Sequence, residues 1–131
     1  MQDGSTIYKV VSRVPGEEYF ISYFGSTKKL AQRYKLGTTV HAPVGYLFAF
    51  ATLHQALEYT EERNTVLECK GYDFHPELES IKRILVPGLV DDCAKLFWEG
   101  QYIAEEFTQR TPYGTVFCRK VEVISIAHLA R

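Results

Sequence analysis

The sequence predicts an α+β domain built on a mixed, largely antiparallel sheet with two or three helices. Three observations carry that reading. Runs rich in β-branched and aromatic residues lie towards both ends, at Ile7–Val14, Tyr19–Phe24 and Thr115–Ala127. A strand–helix–strand pattern with a helix-capping motif fills Gly45–Pro76. Connections are short, and neither GxGxxG nor GxxxxGK[ST] occurs, which argues against a Rossmann-type domain.

The polar start Met1–Thr6 (MQDGST) is expected to be disordered, within one domain spanning 1–131. Ile7–Val14 (IYKVVSRV) alternates imperfectly, as a half-buried strand does. Pro15-Gly16 suits a tight turn, and Tyr19–Phe24 returns as the second arm of a hairpin. Tyr34–Ala42 reads as two extended pieces around Gly37, ending at Pro43.

In Tyr46–Ala51 the residues Tyr46, Phe48 and Phe50 share one face, and Leu47, Ala49 and Ala51 the other. Both faces are apolar, so this is expected to be an interior strand, with a helix approaching its alanine face. Thr52-Leu53-His54-Gln55 has the spacing of a capping box. The helix it opens runs to Arg63, with Leu53, Ala56, Leu57 and Thr60 on one face and Asn64 as its stop. Thr65–Cys69 then forms a strand that extends towards Phe74.

Past Pro76 two readings stay open. Leu78, Ile81, Ile84 and Leu85 fit a helical face, whereas IKRILVPG reads equally well as extended chain. Leu89–Glu99 predicts a helix with Leu89, Cys93, Leu96 and Phe97 inward and Gly100 ending it. Thr111–Gly114 (TPYG) is a turn. Thr115–Ala127 makes one long strand or two, and its inward parity shifts between Val121/Val123 and Ile124/Ile126, as a bulge produces.

Composition narrows the function classes. With 131 residues, 46% hydrophobic and 24% charged, the chain matches an ordinary globular domain. Fifteen basic against sixteen acidic side chains leave a formal net charge of -1, without the long-range attraction that a nucleic-acid binder draws on. Lys28, Lys29, Arg33 and Lys35 form the one basic cluster. The three cysteines, Cys69, Cys93 and Cys118, are widely spaced and outside any CxxC pair. They suit buried thiols in the cytoplasm rather than disulfides or structural zinc. No apolar run approaches the ~20 residues that span a membrane.

Catalytic motifs are sparse. Gly-x-Ser-x-Gly is absent, and neither His75 with Asp73 nor Asp91-Asp92 has a recognised metal-ligand spacing. In the Glu61-Glu62 pair, neighbours on a helix point about 100° apart, which favours a solvated face. Glu105-Glu106 stays open as an acid/base candidate.

The segments LFAFAT, LHQALEYTEER and TVLECKGYDFHP together resemble the outline of the ADP-ribosyltransferase superfamily, including its small rifampin-modifying members. That resemblance implies an ADP-ribosyltransferase-like fold with NAD as cofactor. It would put Arg13 on the NAD phosphates, Thr52 at the nicotinamide ribose, and Glu105 or Glu106 beside an oxocarbenium-like transition state. The chain also resembles small proteins of phages and other mobile elements in YKVV, GYLFAF and GTVFC. The residues themselves lack the Glu-x-Glu signature, and helix capping alone accounts for Thr52. The leading expectation is therefore a cytoplasmic, non-catalytic binding or accessory domain for a protein or small molecule, with a homo-oligomer open. An NAD-dependent ADP-ribosyltransferase, or a nucleotide-binding relative of one, is the alternative.

Overall fold

A computed structural model describes residues 1–22, 31–61, 64–76, 81–85, 91–100 and 105–130, with backbone alone at 91–94. Its strands are β1 (Ser5–Arg13), β2 (Phe20–Ile21), β3 (Arg33–Tyr34), β4 (Thr39–His41), β5 (Leu47–Phe50), β6 (Thr65–Phe74), β7 (Arg83–Leu85), β8 (Thr108–Arg110) and β9 (Thr115–His128). Two α-helices, α1 (Leu53–Thr60) and α2 (Asp91–Trp98), complete an α+β fold. Every strand pairing among the described residues is antiparallel.

The main sheet closes on itself. Tyr8 of β1 pairs with Glu68 of β6 on one edge and with Phe50 of β5 on the other. Cys118 of β9 likewise pairs with Phe74 of β6 and Leu47 of β5. Strands β1, β6, β9 and β5 thus form a ring, sealed between β1 and β5 by the Tyr8–Phe50 pair. β2 and β3 continue outward from β1, β4 lies on β9 beside β5, and β7 with β8 makes a separate two-stranded sheet.

In a closed ring, strand alternation sorts side chains into an interior and an outer layer. Ile7, Val11, Leu47, Ala49, Leu67, Cys69, Val116 and Cys118 fill the interior. Val10, Phe48, Phe50, Val66 and Phe117 form the outer layer, covered by Ala56, Leu53 and Leu57 of α1 and by Phe97 and Trp98 of α2. β5 is therefore the interior strand expected, buried at all four positions. The helix, however, packs on its aromatic face and not on the alanines. A narrow ring admits only small side chains at Ala49, so the bulky Phe48 and Phe50 project where a helix can cover them.

Other boundaries shift for local reasons. β1 begins at Ser5, pairing with Gly71, so Ser5 and Thr6 belong to the strand. α1 stops at Thr60, where Glu61 takes a left-handed conformation (φ 52) and its N–H donates to Leu57 O. Asn64 instead ties the helix end to β1: its Nδ2 donates to Thr60 Oγ1 at 2.9 Å, and Ser12 Oγ donates to its Oδ1 at 3.2 Å. Residues 83–85 are extended as β7. In α2, Leu96 is 39% exposed, while Phe97 and Trp98 turn inward. The Trp98 ring lies directly on Gly45, where an added Cβ would come within 2.2 Å of it. Along β9 the pairs Glu68–Ser125 and Cys69–Val123 skip Ile124, and Val66–His128 and Leu67–Ile126 skip Ala127. Bulges therefore fall where the sequence pattern shifts, but Ile124 and Ile126 are 42% and 40% exposed and do not turn inward. The expectations for Tyr23, Phe24, Lys28, Lys29, Glu62, Arg63, Leu78, Pro87, Gly88, Leu89 and the Cys93 side chain lie outside the described residues.

Candidate functional site

A cleft of ligand size lies at the end of the ring, where the outer β7–β8 sheet approaches α1. The start of α1 supplies its first wall. β5 ends at Phe50, and Ala51 N–H donates to Gly114 O at 2.9 Å, joining this strand exit to the turn before β9. Thr52 caps α1 by accepting from Gln55 N–H at 3.2 Å. The reciprocal half of the capping box is not made, because Gln55 Oε1 is buried without a hydrogen-bond partner. Its amide lies against Gly114, where an added Cβ would sit 2.1 Å from Oε1.

The second wall comes from β7 and β8. Arg83 pairs with Arg110, and Thr111 N–H donates to Lys82 O at 2.9 Å, so the register continues with Lys82 opposite Thr111, and Lys82 and Arg110 border the cleft from opposite faces of the ladder. The turn from Thr111 to Thr115 is held by its own hydroxyls. Thr111 Oγ1 donates to Ile81 O at 2.9 Å and Thr115 Oγ1 to Pro112 O at 2.7 Å. Between these walls is a cleft of about 730 Å³ with Ala51, Ile81 and Val116 on its apolar side. That volume falls within the ~300–1,000 Å³ typical of small-molecule sites.

Of the residues singled out from the sequence, Thr52 caps the helix that forms the first wall, and Arg13, Glu105 and Glu106 are not among the described lining residues. Arg13 ends β1, exposed and paired with Phe20. Its neighbour Ser12 touches Asn64 beyond the C-terminal end of α1, whereas Thr52 caps the opposite end. A helix of that length separates the two by about 12 Å. Glu105 and Glu106 sit exposed in a single 3-10 turn before β8. No hydrogen bond or ion pair joins any two of these four among the described residues. Asp73 turns to Arg119 (3.7 Å) and His75 to the Tyr46 ring (4.9 Å between centroids), and no described cluster of His, Cys, Asp or Glu has the make-up of a metal site.

Sequence reading missed a second unusual group. Lys9 follows the inward parity of Ile7 and Val11 and is 1% exposed inside the ring. Its Nζ donates to Phe48 O and lies 5.6 Å from the centre of the Tyr34 ring. Burial pulls its pKa from 10.5 down to about 8, against the opposing pull of Cys118 and Cys69. Burial also pushes the thiols up, Cys69 to about 12 and Cys118 to about 11, with Lys9 countering. Tyr34 is held above the usual phenol range by the same loss of water. Protonated thiols are poor nucleophiles, so this interior is built for packing and not for thiolate chemistry. The signal for Lys9 was its place in IYKVV, midway between two residues that face inward.

No family model, curated protein or solved structure matches this chain. Among the described residues no helix is long and apolar enough to cross a membrane.

Proposed function

We propose that this chain is a non-catalytic binding domain that holds a small molecule in the cleft between α1, β7–β8 and the Thr111–Thr115 turn. The observation that carries the reading is the cleft itself. It combines ligand-sized volume with apolar side chains and with polar groups from Gln55, Thr111 and Thr115 along its walls.

The alternative, an NAD-dependent ADP-ribosyltransferase, needs a positioned anion beside the developing positive charge and donors on the diphosphate within one cleft. The placement of Arg13, Thr52, Glu105 and Glu106 on separate elements supports the binding reading over it. Two measurements test the choice. A fragment screen followed by amide chemical shifts should move the signals of Gln55, Thr111, Gly114 and Thr115, and incubation with NAD should release no nicotinamide. Release above a buffer control, lost in Glu105→Ala or Glu106→Ala, would establish the transferase instead.

A further inference from the structure

We infer that the cleft takes a ring-bearing organic anion, an inference that rests on the binding reading above. Charge is the first ground. The chain as a whole is nearly neutral, yet among the described residues around the cleft Lys82 and Arg110 are the charged ones and none is a carboxylate. Lys35, Lys95 and Arg119 each meet an acidic side chain, at 3.3, 3.8 and 3.7 Å. Lys82 and Arg110 meet none among the described residues. Lys82 lies opposite Thr111 and Arg110 opposite Arg83, so the two cations border the cleft from different sides of the β7–β8 ladder, and an anion seated there is attracted to both.

The second ground is the character of the remaining surface. Tyr113 borders the cleft with 86% of its surface open to water, the most exposed of the large apolar side chains described. An exposed ring at the rim of a cleft is a stacking face for a flat ligand. Ala51, Ile81 and Val116 add apolar surface that a bare inorganic anion leaves uncovered. A neutral ring, conversely, leaves Lys82 and Arg110 uncompensated. Ring and anion together define the class.

Lys82, Arg110 and Tyr113 are all exposed, so their replacement should leave the fold intact, which the melting temperature verifies. The experiment titrates the whole chain at low salt with four probes: adenosine monophosphate, benzoate, adenosine and inorganic phosphate. Binding is read by calorimetry and by amide shifts at Gly114 and Thr115. Adenosine monophosphate and benzoate are expected to bind, with adenosine and phosphate weaker by about tenfold or more. The double variant Lys82→Gln/Arg110→Gln should weaken both anions by at least about tenfold, and Tyr113→Ala should weaken them while leaving phosphate unchanged. Adenosine binding in the cleft as tightly as its monophosphate would overturn the anion requirement while sustaining a binding cleft. Anion binding that survives the double variant places the site elsewhere and overturns the inference, as does the absence of cleft shifts with every probe. Neutral fragments that still shift Gln55 and Thr111 would in that last case keep the broader binding reading alive.

Discussion

The two sides of β5 face apolar layers of opposite construction. Inside the ring, Ala49 and Leu47 join Val11, Leu67, Cys69 and Cys118, so the space is filled mostly by small and aliphatic groups, with one tyrosine ring, Tyr34, and one lysine among them. Outside, Phe48 and Phe50 meet Phe117, Trp98 and Tyr59, with Phe48 edge-on to Phe117 at 4.7 Å and to Trp98 at 5.8 Å. The difference teaches how a small closed sheet divides its burial. Strand curvature limits what fits inside, so most aromatic surface must be covered from outside by helices. The outer layer thus depends on α1 and α2 staying docked, whereas the interior depends on the ring staying closed.

The sharpest way to break that division is Phe48→Ala. It removes a ring that is 1% exposed and leaves a cavity beneath Trp98, with an expected loss of about 3–5 kcal/mol in denaturant unfolding. A loss under about 1 kcal/mol would mean that the outer layer can collapse around the gap.

The interior is tested by Lys9→Met. The fall from 10.5 to about 8 corresponds to roughly 3 kcal/mol disfavouring the buried ammonium. Removing the charge while losing the hydrogen bond to Phe48 O should stabilise the fold at neutral pH by on the order of 2 kcal/mol. The pH dependence carries a sign of its own. Between about 8 and 10.5 the unfolded chain keeps a proton that folded Lys9 has released, so this group makes stability rise with pH there. Above 9.0 the thiols oppose it: unfolded Cys69 and Cys118 ionise while the folded thiols, at about 12 and 11, remain protonated. From these buried groups, stability should rise from about pH 8 to about pH 9 and fall beyond. In Lys9→Met the rise should vanish and the fall remain. A rise of equal size in both proteins would refute this account of Lys9.

Gly45→Ala probes the outer layer more gently. The added Cβ meets the Trp98 ring at 2.2 Å, and the backbone there is left-handed at φ 59. The expected loss is about 1–3 kcal/mol, with a change in tryptophan fluorescence as α2 shifts. An unchanged emission spectrum would show that Trp98 does not rest on Gly45. The smallest effects belong to exposed residues outside both layers. Arg13→Ala and Glu106→Ala should each change stability by no more than about 0.5 kcal/mol. A larger loss at either position would reveal a partner for a side chain that has none here among the described residues.

Local chemistry was enough to place many elements. Alternation in LFAF located β5, Thr52 located the start of α1, and the parity change after Val123 located the β9 bulges. Each of these depends on residues a few positions apart, within reach of strand pleat or helix pitch. Which face α1 covers was not of that kind. It follows from closure of the ring, a consequence of pairing Tyr8 with Phe50 and Cys118 with Phe74, residues far apart in the chain. The same holds for the buried position of Lys9, since IYKVV alone does not say which side of its strand will be enclosed. The cleft is the clearest case. Gln55 reads as half of a capping box, and nothing in the sequence pattern links Lys82 to Arg110. Only the β7–β8 pairing, and the close approach of Gly114 to Gln55, bring these segments around one cleft, because their meeting depends on long-range strand pairing that no local propensity encodes.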